Sequence, residues 1–297
     1  MEAHLHEWVH LLLRWLHIVA GIMWIGDSFL FMWLDRSLRP PDPSRPGVTG
    51  ESFLVHGGGY YVVEKRAFQP GQLPPVLHWF KWESITTGVS GLLLLVVVFY
   101  LGGSAMLVDT SGPHLPTWGA IALGLGLLPV TWWIYDGLWR SPLGKSAAVG
   151  GAISVALFTA LAYGVTRAFS GRAAFMHLGA VLGSLMVTNV WGNILPTQRR
   201  TLAAVARGEA IDPAPGLVAK KRSTHNTYMT LPVVFIMLSN HFPTTYGSRY
   251  NWLALVVISV AAAAVRHFML VRTKQVAWLL AVAAVAVAAV FYLTSRG

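Results

Sequence analysis

Two histidines mark the ends of one largely apolar stretch, STHNTYMTLPVVFIMLSNHFPTTYG, which runs from Ser223 to Gly247. His225 and His241 are sixteen residues apart. On one α-helix their backbones would lie roughly 24 Å apart, close to the thickness of the hydrocarbon core of a bilayer. One metal ion cannot bind both side chains. If both are ligands, we expect two separate sites near opposite faces of a membrane.

The other histidines of the apolar segments sort by expected depth into the same two layers. We place His17, His177 and His241 in the outer layer and His56, His78, His225 and His267 in the inner layer. Imidazoles without thiolates suit haem b iron, copper or non-haem iron, and they also suit proton relays. The pattern favours a redox or substrate site, although a single histidine on an apolar face can also be a structural polar residue.

Composition places these histidines in a membrane protein. Hydrophobic residues make up 55% of the chain and charged residues 11%, and several stretches exceed the length needed to span a bilayer. The chain has no cysteine, which excludes disulfides, thiolate metal sites, iron–sulfur clusters and covalently attached haem c within it. The net charge of +10 follows the membrane topology rather than a nucleic-acid module, so we expect no nucleic-acid partner.

The hydropathy pattern predicts an all-α integral membrane protein, a single domain over residues 1–297 with a bundle of eight transmembrane helices. The predicted spans are about 8–34, 78–101, 117–139, 146–166, 173–196, 225–246, 251–271 and 275–294. Fifteen basic residues fall in segments on one side, including the loops 35–77 and 197–224, against four on the other, namely Arg167, Arg172, Arg249 and Arg296. The positive-inside rule therefore predicts that both termini are periplasmic. We expect no cleaved signal peptide.

Three further features lie near the predicted cytoplasmic face. The loop 35–77 contains HGGGYY, with His56 and Tyr60, where glycines allow a close backbone approach to a ligand. The second span opens with LHWFKWES, which clusters His78 and Glu83. Arg266 ends the seventh span, and snorkelling of its long side chain to the interface is an adequate explanation for it.

Five stretches of the chain resemble bacterial membrane-bound urate oxidases, the urate hydroxylases of the PuuD type. The resemblance is carried by LHIVAGIMWIGDSFLFMWLD, HGGGYY, LHWFKWES, MHLGAVLGSLMVTNVWGNILPTQ and, above all, the stretch that contains His225 and His241. In that family an eight-span membrane domain usually precedes a C-terminal cytochrome c domain. This chain stops at Gly297 and has no Cys-x-x-Cys-His motif, so we expect it to lack the fused cytochrome.

The resemblance implies oxidation of urate to 5-hydroxyisourate in purine catabolism, with electrons passed to a cytochrome c. It carries over His17, His56, His78, His177, His225 and His241. We expect a protein of the bacterial inner membrane whose partners are urate, the lipid bilayer and a separate periplasmic cytochrome c. The oligomeric state stays open.

The site residues follow from the two layers taken together with the resemblance. Urate is expected to enter from the cytoplasm and bind near His56, Tyr60, Asn193 and Asn226, with His78, Glu83 or His225 taking its proton. Haem b or another histidine-ligated metal is expected in the outer layer, on His17, His177 and His241.

Two other functions use the same histidines. A b-type cytochrome or quinol-linked electron carrier would need them only as axial ligands, without purine chemistry. A transporter or a non-catalytic membrane scaffold would use them as proton relays or structural polar groups.

Overall fold

The computed structural model describes residues 1–101, 104–109 and 115–295 and is 75% helical. The helices are α1 Glu2–Ser37, α2 Trp82–Leu95, α3 Ser104–Leu107, α4 Thr117–Arg140, α5 Ala147–Ala168, α6 Gly171–Thr188, α7 Leu195–Ala206, α8 Ala214–Ser239, α9 Pro243–Tyr246, α10 Asn251–Val271 and α11 Trp278–Ser295. Short 3₁₀ turns, Pro142–Lys145 and Lys274–Val276, join α4 to α5 and α10 to α11. One of the four basic residues expected outside, Arg296, lies beyond the described residues.

Seven segments in the described ranges are long and apolar enough to cross a membrane, which agrees with a multi-pass membrane protein. They are Ala3–Ser37, Trp82–Tyr100, Thr117–Arg140, Ala147–Ala168, Gly171–Ala206, Asn251–Val271 and Lys274–Ser295. The remaining expected span, 225–246, corresponds to α8, whose N-terminal half is too polar to meet the same standard. The count of eight and the periplasmic termini stay predictions.

α6 is the helix at the centre of the core. In the most apolar 18-residue stretch of the segment Gly171–Ala206, which begins with α6, 67% is buried. The corresponding share is 6% for the segment that contains α1 and 11% for the one that contains α11. It packs against α2, α4, α5 and α8. Small residues allow this closeness, since a Cβ atom on Gly179 would lie 2.9 Å from the side chain of Ile236 on α8. The outer helices α1 and α11 instead expose rows of large apolar side chains, as expected for surfaces that face lipid.

Two helices widen into π-helical segments. Val96–Tyr100 continues α2, and Asn189–Ile194 connects α6 to α7. A π-helical turn inserts an additional residue into the helix and is frequent at functional sites. The second segment brings Asn189 and Asn193 to the C-terminal end of α6, which the sequence predicts to lie near the cytoplasm.

A β-hairpin in the loop between α1 and α2 is the main departure from an all-helical architecture. Strands β1, Val48–His56, and β2, Gly59–Arg66, pair antiparallel, with His56 opposite Gly59. Gly57 and Gly58 form the turn with φ of 57° and 77°. Two consecutive positive φ values are typical of the tight turns that fit the twist of a hairpin, and glycine adopts them without steric cost. The glycine run therefore makes a turn.

Ion pairs attach the hairpin to the helices. Lys65 on β2 contacts Asp35 near the end of α1, and Lys220 on α8 donates to the same carboxylate at 3.2 Å. Within the hairpin, Arg45 lies between Glu51 and Glu64. The hairpin is thus held at the ends of α1 and α8 by charged groups.

α8 differs in its limits from the predicted span at 225–246. It begins at Ala214, within the expected loop 197–224, and ends at Ser239. Asn240 and His241 follow it in a turn that precedes α9. His225 and His241 therefore do not share one helix, because α8 ends before His241. Pro232 lies inside α8 without ending it.

Candidate functional site

A hydrogen-bonded cluster of four side chains joins α4, the π-helical segment after α6, and α8. The hydroxyl of Tyr135 lies 2.7 Å from Nδ1 of His225 and accepts a hydrogen bond of 2.9 Å from Asn189 Nδ2. Asn189 Nδ2 also donates to Asn226 Oδ1 at 2.9 Å, and Asn226 Nδ2 donates to the carbonyl of Met186 at 2.9 Å. Polar groups in apolar surroundings need such partners, so the cluster fixes the three elements relative to one another.

These hydrogen bonds restrict where the protons of the cluster lie. Both N–H groups of Asn189 act as donors, one to Tyr135 and one to Asn226. The Tyr135 oxygen accepts one of them, and its own O–H is free to donate to Nδ1 of His225. In that arrangement neutral His225 carries its proton on Nε2. Tyr135 and His225 can therefore exchange a proton through a bond that is already formed.

A buried arginine on α8 borders the cluster. Arg222 is 2% exposed, and its Nη2 lies 2.6 Å from Oδ1 of Asp136 on α4. Asp136 also accepts a hydrogen bond of 2.6 Å from Arg140. The guanidinium of Arg222 lies over the ring of Tyr135, 4.9 Å from its centroid. A buried cation requires a paired anion, so Asp136 holds Arg222 against the tyrosine that contacts His225.

Three polar atoms around the cluster are buried without a hydrogen-bond partner in the described part of the chain. They are Oδ1 of Asn189, Nδ2 of Asn193 and Nη1 of Arg222. Asn193 uses only its oxygen, which accepts from Arg140 at 3.4 Å. An unpaired buried polar group costs about 1–3 kcal/mol. One acceptor and two donors beside the cluster are therefore left unsatisfied by the described residues.

A cavity of about 830 Å³ opens beside His225 between α4, α5, α6, α8 and α10. Its walls are mostly apolar, and its polar end is formed by Tyr135, Trp139, Lys221 and His225. The rings of Trp139 and His225 have centroids 4.1 Å apart, and Nζ of Lys221 lies 4.6 Å above the Trp139 ring. Cavities of roughly 300–1,000 Å³ with few polar groups are typical of small-molecule sites.

Three of the predicted catalytic and substrate residues come together at this cluster. His225 and Asn226 belong to it directly, and Asn193 lies on the same π-helical segment as Asn189. The stretch of α8 that carries His225 and Asn226 also contains Lys221 and Arg222. The structure thus groups histidine, amide and basic side chains at the end of the bundle predicted to face the cytoplasm.

Three other predicted residues lie apart from the cluster. His56 and Tyr60 are exposed at the tip of the hairpin, where Tyr60 stacks on Phe53 with ring centroids 6.0 Å apart. His78 is exposed in the segment before α2. In the described part of the chain, the hydrogen bonds of the cluster reach none of the three.

Glu83, the remaining predicted catalytic residue, lies in the first turn of α2. Its Oε2 is buried without a hydrogen-bond partner among the described residues. Asp27 on α1 is close enough to interact with it electrostatically. The next residue, Ser84, accepts a hydrogen bond of 3.1 Å from Trp191 of the π-helical segment. Glu83 is therefore one residue from a contact with the segment that carries Asn189.

His177, which was expected in the outer layer, is 1% exposed on α6, and both of its ring nitrogens have hydrogen-bond partners in the protein. Its Nδ1 lies 2.7 Å from the carbonyl of Ala173, and its Nε2 lies 3.0 Å from the Tyr100 hydroxyl. Phe169 stacks on the ring with centroids 4.3 Å apart. Gly124 on α4 leaves room for this arrangement, since a Cβ atom there would lie 2.6 Å from His177 Nε2.

The other two outer histidines occupy different environments. His17 on α1 contacts α2, with Nδ1 3.0 Å from the Thr87 carbonyl and 3.1 Å from the Ser90 hydroxyl. His241 is exposed in the turn after α8. Among the described residues no group of three or more histidine, cysteine, aspartate or glutamate side chains could hold a metal ion. With both ring nitrogens of His177 already hydrogen-bonded, the three histidines as placed do not fit a shared metal or haem.

Arg266 and His267, at the end of α10, correct an expectation. His267 Nδ1 lies 2.7 Å from the Tyr228 hydroxyl, with the two rings stacked. Arg266 does not snorkel to the surface. It is 3% exposed, and its guanidinium carbon lies 3.6 Å from the centroid of the Phe29 ring on α1.

Tyr135 and Asn189 belong to the cluster, and Trp139 and Arg222 lie beside it, but none of the four was predicted as a site residue. Arg222 appeared to be one more basic residue of a cytoplasmic loop, and Tyr135 is 90 residues from its partner His225. One local signal was present in the sequence. Asp136 and Arg140 are four residues apart, a spacing that places an ion pair on one helix face at the end of α4.

Comparison with known proteins agrees with the resemblance seen in the sequence. A search of curated proteins and a search of solved structures give no match. A family model described as "Urate oxidase N-terminal" matches residues 3–295, which is nearly the whole chain. The chain therefore belongs to the urate oxidase N-terminal family.

Proposed function

We propose that this protein oxidises urate to 5-hydroxyisourate at the cluster formed by Tyr135, Asn189, His225 and Asn226. The observation that carries the proposal is the hydrogen-bonded pair Tyr135–His225, which opens on a cavity of about 830 Å³ beside Lys221. The urate oxidase family supplies the substrate class. We further propose that the protein resides in the bacterial inner membrane and takes urate from the cytoplasm.

Urate is a planar anion at neutral pH, and the polar end of the cavity offers what such a molecule needs. Lys221 contributes positive charge at the wall, and Arg222 contributes it immediately behind Tyr135. The face of Trp139 can stack on a purine ring. Tyr135, Thr224 and His225, which line the cavity, can pair with a purine edge that carries both donors and acceptors.

The reaction removes two electrons and one proton from the urate anion and water, and it transfers the oxygen of that water to C5 of the purine to give neutral 5-hydroxyisourate. His225 is the proposed proton acceptor, at Nδ1, because that atom is hydrogen-bonded to the Tyr135 hydroxyl, through which a proton can reach it. Asn189 holds the Tyr135 oxygen in place as the proton moves. Glu83, whose buried oxygen has no partner among the described residues, is a further proposed acceptor.

The electrons are proposed to pass to a separate periplasmic cytochrome c. A haem b or another histidine-ligated metal would supply one-electron transfer when bound, and His17, His177 and His241 were the expected ligands. Because they form no common site as placed, we assign no step to such a group. His56, Tyr60 and His78, which are exposed, are proposed to act in capture of urate rather than in proton transfer.

The test is urate-dependent reduction of cytochrome c by the purified protein in detergent. His225→Gln is expected to lower the rate by roughly 10²–10⁴-fold, the usual contribution of a proton-transfer group. His4→Gln, at an exposed position at the start of α1, is the matched control and should leave the rate unchanged. A wild-type rate that is independent of urate, or that His225→Gln leaves intact, would contradict the proposal.

A quinol-linked electron carrier is the second candidate, and the mostly apolar walls of the same cavity favour it. Quinols bury an apolar tail and present hydroxyl groups, which Tyr135 and His225 could bind at the polar end. This candidate predicts reduction by a quinol and no response to urate. Parallel assays with quinol and urate as electron donors separate the two.

A further inference from the structure

A second cavity, of about 480 Å³, lies between the C-terminal ends of α1 and α10. Three arginines line it, Arg36 from α1 and Arg266 and Arg272 at the end of α10. The remaining lining residues are Ser37 and apolar or aromatic side chains, with no carboxylate among them. This cavity is distinct from the one beside His225.

Arg266 is the most unusual of these arginines, because it is buried without an anion. Its Nε and Nη2 are buried and have no hydrogen-bond partner in the described part of the chain, and the residue is 3% exposed. The contrast with Arg222 is direct, since Arg222 is equally buried but is paired with Asp136. The Phe29 ring against which Arg266 packs does not neutralise its charge, and a buried guanidinium without an anion is strongly unfavourable, so an external anion would stabilise it.

The backbone of Arg272, which lines this cavity, has an unusual conformation. Arg272 has φ 48° and ψ 34°, and it is the one non-glycine residue with positive φ in the described ranges. Glycine or asparagine is the usual residue in this left-handed position at the end of a helix. Unfavourable backbone conformations of this kind cluster at functional sites. An arginine here adds a third cation to the cavity.

The nearest carboxylate along α1 does not neutralise these arginines. Asp35 precedes Arg36, and it is already bound by Lys65 and Lys220. The cavity therefore has three cationic side chains and no compensating acid in its walls.

We propose that this cavity binds the phosphate group of an anionic phospholipid. Basic pockets between membrane helices on the cytoplasmic side bind such headgroups, and planar guanidinium groups suit phosphate oxygens. A free phosphate ion has the same charge chemistry. The apolar walls favour the lipid, because Phe29, Met32, Trp33 and Leu270 can pack on an acyl chain.

The experiment measures thermal unfolding of the full chain in detergent, with phosphatidylglycerol, phosphatidylcholine or inorganic phosphate added in turn. Phosphatidylglycerol is expected to raise the melting temperature by roughly 5–10 °C at about 100 times its dissociation constant. Phosphatidylcholine and inorganic phosphate are expected to have little effect. Because the readout is stability, it does not depend on whether the protein oxidises urate.

Two variants and a control localise the effect. Arg266→Leu should lose the phosphatidylglycerol shift and should melt no lower than the wild type without lipid, because it removes an unpaired buried charge. Arg272→Gly relieves the backbone strain while removing a cation, and it should reduce the shift even if Arg266→Leu fails to fold. Arg199→Leu removes an exposed cation from α7 and should keep the full shift.

The alternative outcomes overturn the proposal in distinct ways. A phosphatidylglycerol shift of equal size in wild type and both variants would place lipid binding elsewhere. A shift produced equally by inorganic phosphate, and lost in the variants, would assign the cavity to a free anion instead of a lipid.

Discussion

Gly124 on α4 lies so close to His177 on α6 that the site has no room for a methyl group. A Cβ atom at residue 124 would lie 2.6 Å from Nε2 of His177 and would also overlap the hydroxyl of Tyr100. The Tyr100 hydroxyl and Nε2 of His177 are hydrogen-bonded at 3.0 Å. Glycine at position 124 of α4 thus leaves room for this hydrogen bond between α6 and the π-helical segment that continues α2.

Gly124→Ala is therefore expected to destabilise the protein by about 1–3 kcal/mol, the usual cost of overpacking a core. Gly126→Ala on the same helix is the control, since a Cβ atom there would have no neighbour within 4 Å. That change should be neutral or stabilising by about 0.5–1 kcal/mol, because alanine favours the helix. Chemical unfolding in detergent compares the two, and equal stabilities would show that α4 and α6 can separate freely.

Tyr135→Phe should impair both the stability and the proposed activity. It leaves His225 Nδ1 and one N–H of Asn189 without a partner, which is expected to cost about 1–3 kcal/mol. Urate oxidation should fall by at least about 10²-fold, because the proton donor to His225 is lost. Tyr163→Phe, a half-exposed tyrosine on α5, is the control for both measurements. Full activity in Tyr135→Phe would remove Tyr135 from the proton path.

Asp136→Asn tests the buried charge of Arg222. The substitution leaves Arg222 buried without an anion, and we expect a loss of about 3 kcal/mol, since one partner is removed from a largely buried pair. Arg140→Gln, which breaks the other and exposed ion pair of Asp136, should cost less than about 1 kcal/mol. The free energy of unfolding distinguishes them. Similar losses in both variants would mean that Arg222 does not depend on Asp136.

The hairpin should loosen in acid. A hydrogen bond from Arg66, with the charge of Arg45 nearby, holds the pKa of Glu64 below its usual value. Because this pKa is lower in the folded than in the unfolded chain, the contribution to stability is present above the unfolded pKa. It is lost as the pH falls through the folded pKa. Hydrogen-exchange protection of β1 and β2 should decline in that range, and Glu64→Gln should flatten the dependence.

The helices, and the positions of the histidines along them, were predicted from the hydropathy of neighbouring residues in the sequence. The apolar periods located most of the membrane-spanning segments, because hydropathy along one helix is a local property. The histidine and asparagine of STHNTY, His225 and Asn226, could be expected to have hydrogen-bond partners for the same reason, since polar groups in an apolar segment require them.

What the sequence left out depends on contacts between distant residues. Arg222 is buried only because α4 presents Asp136 and Tyr135 to it, so its sequence context of Lys220 and Lys221 suggested a solvated loop. His177 is paired with Tyr100, 77 residues earlier in the chain. The hairpin could have been predicted from the local sequence, because Gly57 and Gly58 lie between two runs typical of strands. We instead interpreted these glycines as a place where the backbone approaches a ligand.

The π-helical segment Asn189–Ile194 also determines the rotation of α7, which follows it, about the helix axis. One residue fewer would restore regular α-helix and rotate the 12 residues of α7 by roughly 100° about their axis. Leu195, Thr197 and Val205, now buried, would turn away from their neighbours, while α6 would keep its place. The backbone bond from Gly71 to the Val205 carbonyl, which links the interhelical loop to α7, would be lost as well. The additional residue in the π-helical segment therefore allows Asn189 to contact Asn226 while Val205 on α7 contacts Gly71 in the loop between α1 and α2.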